Sequence, residues 1–125
     1  MRKTIGTIAA TAMGAAILAA GAAAKDGDIR VAGVCSTSAT SKLKLSEEDG
    51  GIEVEFEVDQ NRNGVRWTVT LFRNGTQVAS RVRVTRGPSG SFEARFVTAN
   101  RPGADRFLAK AARVGERCSA RASFA

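Results

Sequence analysis

Histidine and tyrosine are absent from the 125-residue chain, proline occurs only twice, and there is one tryptophan and one pair of cysteines. Without histidine the side chain best suited to acid–base work near neutral pH is missing. Zinc and copper sites also lose their commonest nitrogen ligand. Serine, lysine and the carboxylates remain as catalysts, and along the chain they form no nucleophile–base arrangement. No glycine-rich loop of the phosphate-cradling kind occurs. The chain is therefore read as non-enzymatic, with no cofactor and no metal. Basic residues are nowhere clustered enough to form a nucleic-acid-binding arm.

Only one long apolar run is present, and it stands at the start. Arg2 and Lys3 precede a stretch from Ile5 to Gly21 of Ala, Ile, Leu, Gly, Met and Thr, closing in Ala22-Ala23-Ala24 before the polar Lys25-Asp26-Gly27-Asp28. This is the order of a signal peptide, with cleavage expected after Ala24 and Ala22 and Ala23 as alternatives. An uncleaved anchor is the weaker reading, because the run is Ala- and Gly-rich and falls short of the ~20 strongly apolar residues that span a bilayer. Residues 1–24 are thus assigned to a cleaved signal peptide and 25–125 to a single domain, secreted or held at the cell surface. No second hydrophobic segment follows. Loss of Arg2 and Lys3 takes the basic count from 19 to 17 against 12 acids, so the charge falls from +7 to +5.

Cys35 and Cys118 both lie in the exported part, and two cysteines in an exported chain are expected to pair. The bond would close a loop of 83 residues, worth about 4 to 5 kcal/mol on the chain-entropy account.

From Ile29 onward the apolar residues alternate with period two between turn signals, the pattern of antiparallel sheet with one wet face. A first strand is read over Ile29–Ser36, with Ile29, Val31, Gly33 and Cys35 on one face. Ser36–Ser41 leads to a short strand around Leu43 and Leu45, and Glu47-Glu48-Asp49-Gly50-Gly51 turns into IEVEFEVD, Ile52–Asp59. There Ile52, Val54, Phe56 and Val58 share one face and Glu53, Glu55, Glu57 and Asp59 the other. A slip by one residue would bury the carboxylates, so the register is fixed and the acids face water or a neighbouring strand. Arg81, Arg83 and Arg95 are the expected cross-strand partners. A catalytic carboxylate pair would need a pocket that an open strand face does not provide.

Val65–Phe72 follows, with Val65, Trp67, Val69 and Leu71 inward. Asn74-Gly75 is a hairpin signal leading into Thr76–Thr85, whose apolar members are Val78, Val82 and Val84. The turn Arg86-Gly87-Pro88-Ser89-Gly90 precedes Ser91–Thr98 with Phe92, Ala94 and Phe96 inward. A loop, Ala99–Ala104, leads to the last two strands, Asp105–Val114 and Arg117–Phe124, around Gly115-Glu116. Ala104–Arg113, ADRFLAKAAR, has helix-forming composition. Strand is preferred because every flanking element is a strand. In all, seven or eight strands predict an all-β fold, an antiparallel two-sheet sandwich.

These turns and strands, with RGPSGSF and the terminal cysteine pair, make the chain from Asp28 to Phe124 resemble small exported single-domain proteins of high-GC bacteria with immunoglobulin-like or fibronectin type III-like sandwiches. The resemblance implies a two-sheet fold with Trp67 as a core anchor, and implies no function. The cysteines at the ends and the missing tyrosine corner depart from antibody domains.

Two short motifs carry other readings. Asp59-Gln60-Asn61-Arg62-Asn63-Gly64 matches the first half of a calcium loop, but position twelve is Thr70 where a glutamate is needed, so a hairpin turn using Asn63-Gly64 is expected. Asn74-Gly75-Thr76 is a glycosylation sequon that the hairpin already explains. The function expected is non-catalytic binding to anionic cell-envelope polymers through Arg81, Arg83 and Arg95. The alternative is a secreted protein ligand, such as a protease inhibitor or toxin antagonist, presenting Arg86–Gly90 or Ala99–Ala104 to a protein partner.

Overall fold

The structure is a computed structural model that describes residues 27–125. The expected signal peptide, residues 1–24, lies outside the described residues. Nine strands follow in order: β1 Ile29–Ala32, β2 Val34–Cys35, β3 Thr40–Glu48, β4 Gly51–Asp59, β5 Arg66–Arg73, β6 Thr76–Val84, β7 Ser91–Ala99, β8 Asp105–Arg113 and β9 Glu116–Phe124. They form a four-stranded sheet, β1-β3-β4-β7, packed on a five-stranded sheet, β2-β9-β8-β5-β6. The fold is an all-β antiparallel sandwich. Within it β3 and β4 form a hairpin in the four-stranded sheet and β5 and β6 a hairpin in the five-stranded one.

The expected first strand is broken in two at Gly33, where the chain leaves one sheet for the other. Glycine is required there, since a Cβ would lie 2.2 Å from the Ser41 Oγ and 2.7 Å from the Ser119 carbonyl oxygen. Past the switch, β2 runs beside β9, which places Cys35 directly opposite Cys118, and the two are disulfide-bonded. The strand around Leu43 and Leu45 is longer than the sequence suggested, because Thr40 to Glu48 all pair with β4.

Tight turns set the remaining registers. Asp49-Gly50 and Asn74-Gly75 are two-residue turns in which both residues take a positive φ, the requirement of type I′ hairpin turns that match strand twist, whereas in the two-residue Val114-Gly115 turn only the glycine does. The 60–65 segment is not the hairpin expected from Asn63-Gly64. It carries the chain from β4 in one sheet to β5 in the other, held by Thr85, whose hydroxyl donates to the Arg62 carbonyl at 2.6 Å and accepts the Val65 N–H at 2.8 Å.

The core mixes large and small side chains so that the two inner faces interdigitate. Leu43, Leu45, Ile52, Val54, Phe56 and Val58 meet Trp67, Val69 and Leu71, with Ala109, Ala111 and Ala120 leaving room for the bulk opposite. Ala104–Arg113 is a strand from Asp105 onward. Its inward residues include Phe107, Ala109 and Ala111, and Leu108 and Ala112, which broke the alternation, face outward.

In β6 the valines do not line the core. Val78, Val82 and Val84 are 46%, 44% and 39% exposed. The reason is register: Arg83 pairs with Trp67 and Arg81 with Val69, and cross-strand partners share a face. With Trp67 and Val69 buried, the arginines take the inner side of this edge strand, Arg81 still exposed and Arg83 half-buried, and the valines face outward.

Candidate functional site

The acidic ladder of β4 is neutralised where it stands. The two-residue turn at Asp49-Gly50 brings Lys44 opposite Glu55 and Lys42 opposite Glu57, with nitrogen–oxygen distances of 3.3 and 3.5 Å. Glu53 accepts hydrogen bonds from Ser46 and from the Arg95 guanidinium, which lies across β7 and also reaches Glu48 at 3.8 Å. The Arg95 contact holds the Glu53 carboxyl below the usual carboxylate range, against the opposing effect of burial, and the same hydrogen bond raises Arg95. Glu93 faces Glu57 directly, and partial burial together with Glu55 and Glu57 pushes its carboxyl up. Asp59 caps its own turn, accepting the Asn61 N–H at 2.9 Å, so its carboxylate does not point into a calcium loop.

Of the arginines expected to act together, Arg95 is therefore engaged by Glu53 and Glu48. Arg81 and Arg83 lie on a different strand of the opposite sheet and do not reach the ladder as partners. The Arg81 guanidinium covers the Phe96 ring at 4.9 Å, and Arg83 donates to the Val82 carbonyl. Arg83 lines a 630 Å³ cleft between β6 and β7 together with Arg86, Glu57 and Glu93. Both signs of charge meet there, so the cleft has no net preference for an anion. The structure does not bring Arg81, Arg83 and Arg95 into one site.

Cations gather instead on the outer face of the five-stranded sheet. Arg66 of β5, Arg106 and Lys110 of β8, and Arg117 and Arg121 of β9 are all exposed there. None lies in an ion pair among the described residues. The only acids of that sheet, Asp105 and Glu116, point inward and are buried. Asp105 takes two hydrogen bonds from Arg73, at 2.9 and 2.6 Å. Glu116 accepts from the Ala39 N–H at 2.9 Å, from Gln60 at 3.2 Å and from Arg113 at 3.3 Å. Burial raises the Glu116 carboxyl, yet hydrogen bonds from Thr37, Ala39 and Gln60 and the Arg113 charge outweigh it and hold it low. Every other acid among the described residues belongs to the four-stranded sheet or its turns.

Leu108 lies at the middle of the basic face. Arg121 of β9 is directly opposite it on one side and Phe72 of β5 on the other, while Arg106 and Lys110 precede and follow it by two residues on the same face. These side chains line a shallow cavity of 310 Å³ with Phe72 and Leu108, both half-buried, in its floor. The Lys110 ammonium lies 5.5 Å from the Phe72 ring centroid. Asn74, at the tip of the β5–β6 hairpin, accepts the Arg106 N–H at 2.8 Å and donates its own N–H to the Arg106 carbonyl at 2.8 Å. The rim of the cavity is thereby fixed by backbone contacts. No family model, curated protein or solved structure matches the chain.

Sequence reasoning missed this face for a legible reason. It weighed the arginines against the acids nearest in pattern, not against the acids each hairpin register brings alongside. The signal was present in the last hairpin: from Arg106 to Arg121 the only acid is Glu116, while Arg106 and Lys110 share one phase before the Val114-Gly115 turn and Arg117 and Arg121 share one after it.

Proposed function

We propose that this chain is an exported, non-catalytic binding domain that holds an anionic polymer of the cell envelope against the outer face of its five-stranded sheet. The observation that carries the reading is the segregation of charge. Surface carboxylates are confined to the four-stranded half, where Glu48, Glu53, Glu55 and Glu57 pair with lysines or Arg95, and the opposite face presents Arg66, Arg106, Lys110, Arg117 and Arg121 without an exposed acid among the described residues. A surface of one sign raises the local concentration of its counter-ion and steers encounter. Export is supported by the apolar, signal-like start and by the disulfide, which persists in oxidising compartments.

A polymer suits the face better than a bilayer does. Beside Arg106, Lys110 and Arg121 the apolar side chains Phe72 and Leu108 form the floor of a concavity rimmed by cations, which a polymer segment can enter, while the exposed Val82 and Val84 lie at the β6 edge of the same face. The test is co-sedimentation of the oxidised protein with isolated cell-wall sacculi, with and without their anionic polymers, across a salt series. Binding that requires the polymers and fades with salt is expected. No binding at low salt, or equal binding to anionic lipid vesicles, overturns the reading.

A further inference from the structure

The Val114-Gly115 turn fixes the β8–β9 register so that Arg106 pairs with Ser123, Leu108 with Arg121, Lys110 with Ser119 and Ala112 with Arg117. Going along the hairpin, the outward cation is on β8 at Arg106, on β9 at Arg121, on β8 at Lys110 and on β9 at Arg117. Every step of two residues, about 7 Å along the strand, therefore presents one positive charge, displaced alternately by the strand spacing of about 5 Å. The residues between the cations are short or apolar: Leu108, Ala112, Ser119 and Ser123.

We infer that this zigzag is a track for an extended phosphodiester polymer of sugar or polyol repeats, with one phosphate per cation and an uncharged spacer between them. The proposal rests on the polyanion reading above and specifies the polymer. Each cation is exposed and outside any ion pair among the described residues, so it is open to a phosphate oxygen. At the Arg106 end the 310 Å³ cavity offers a spacer the apolar floor of Phe72 and Leu108 between Arg106, Lys110 and Arg121, the usual combination of apolar lining and few polar anchors in a binding site. The face lacks the series of exposed aromatic rings on which successive bases of a single-stranded nucleic acid stack, which favours a sugar or polyol chain.

The probe is poly(glycerol phosphate) of defined length, titrated into the oxidised protein at several salt concentrations. Four phosphate contacts predict a slope of log K against log salt near −3, at about 0.7 per contact. Arg106→Gln, Lys110→Gln, Arg117→Gln and Arg121→Gln should each weaken binding severalfold and make the slope shallower by about 0.7. Arg86→Gln, outside the face, should bind as the parent does, and Arg66→Gln, on the same face but off the track, should lose less than any track variant. Inorganic polyphosphate of equal charge count, whose anions are packed more densely, should bind more weakly. If Arg66→Gln costs as much as the track variants, or polyphosphate binds as well or better, the track is overturned while the polyanion reading stands. If neither probe binds and sacculi do not bind, both are overturned. The substituted side chains are exposed, and an unchanged thermal midpoint shows that each variant is folded.

Discussion

A few buried polar residues hold much of the design. Arg73 and Asp105 are paired in the interior, 1% and 2% exposed at their side chains, with Arg73 also donating to Thr98 of the opposite sheet at 2.6 Å. Removing one partner strands the other charge, so Arg73→Met should destabilise by about 3 to 5 kcal/mol, and Arg73→Met with Asp105→Leu should recover most of it. Urea unfolding of the three proteins measures this, and a double variant no better than the single one would show that the pair acts through packing instead. The titrating groups predict the pH profile. Glu53 and Glu116 are held below their ordinary 4.5, so their stabilisation is complete above that value and is lost as pH falls through their folded-state values. Glu93 is held above 4.5, so its ionisation opposes folding as pH rises past 4.5. Thermal midpoints should therefore drop on acidification, and Glu93→Gln should stabilise slightly at pH 7, by a few tenths of a kcal/mol because the group is exposed to solvent.

At the scale of elements, turns decide more than strands. Gly33 is the single point where the chain crosses between sheets at β1–β2, and its missing Cβ leaves room for Ser41 and the Ser119 backbone. Gly33→Ala should cost about 1 to 3 kcal/mol, as forced overpacking does. A change within a few tenths would mean the crossover relaxes freely. Most strand positions were legible from alternation, while the strand nature of Asp105–Arg113 was legible only from its neighbours, all strands, because Leu108 and Ala112 interrupt its period-two pattern. The sheet change at Gly33 was not, since Ile29, Val31, Gly33 and Cys35 keep one phase across the break. The basic face was legible only through pairing. In a two-residue hairpin the partners' positions add to a constant, so Asp49-Gly50 alone assigns Lys44 to Glu55, and Val114-Gly115 alone assigns Arg121 to Leu108. Arg81 and Arg83 were misread for the same reason. Val78, Val82 and Val84 are the apolar members of β6, yet pairing with β5, where Trp67 is buried, sets them on the outer face.

For the whole molecule, the charge distribution and the Cys35–Cys118 bond are the defining features. The bond joins strands at the two ends of the described chain, 83 residues apart. Replacing both cysteines by alanine should lower stability by about 4 to 5 kcal/mol, the loop-closure entropy returned to the unfolded chain. Unfolding in denaturant tests it, and a loss under 1 kcal/mol would mean that the unfolded chain stays compact without the bond. The same closure means that, from Cys35 to Cys118, the polypeptide is a covalent ring. A protease that nicks the exposed Ala99–Ala104 loop opens the ring without dividing the molecule, and β8 and β9, with every cation of the proposed track, stay attached to the remainder. Such a nicked molecule should migrate as one species on a non-reducing gel and as two after reduction, and should keep its ligand until the sulfurs are reduced. A domain built this way outlasts the first cut it receives.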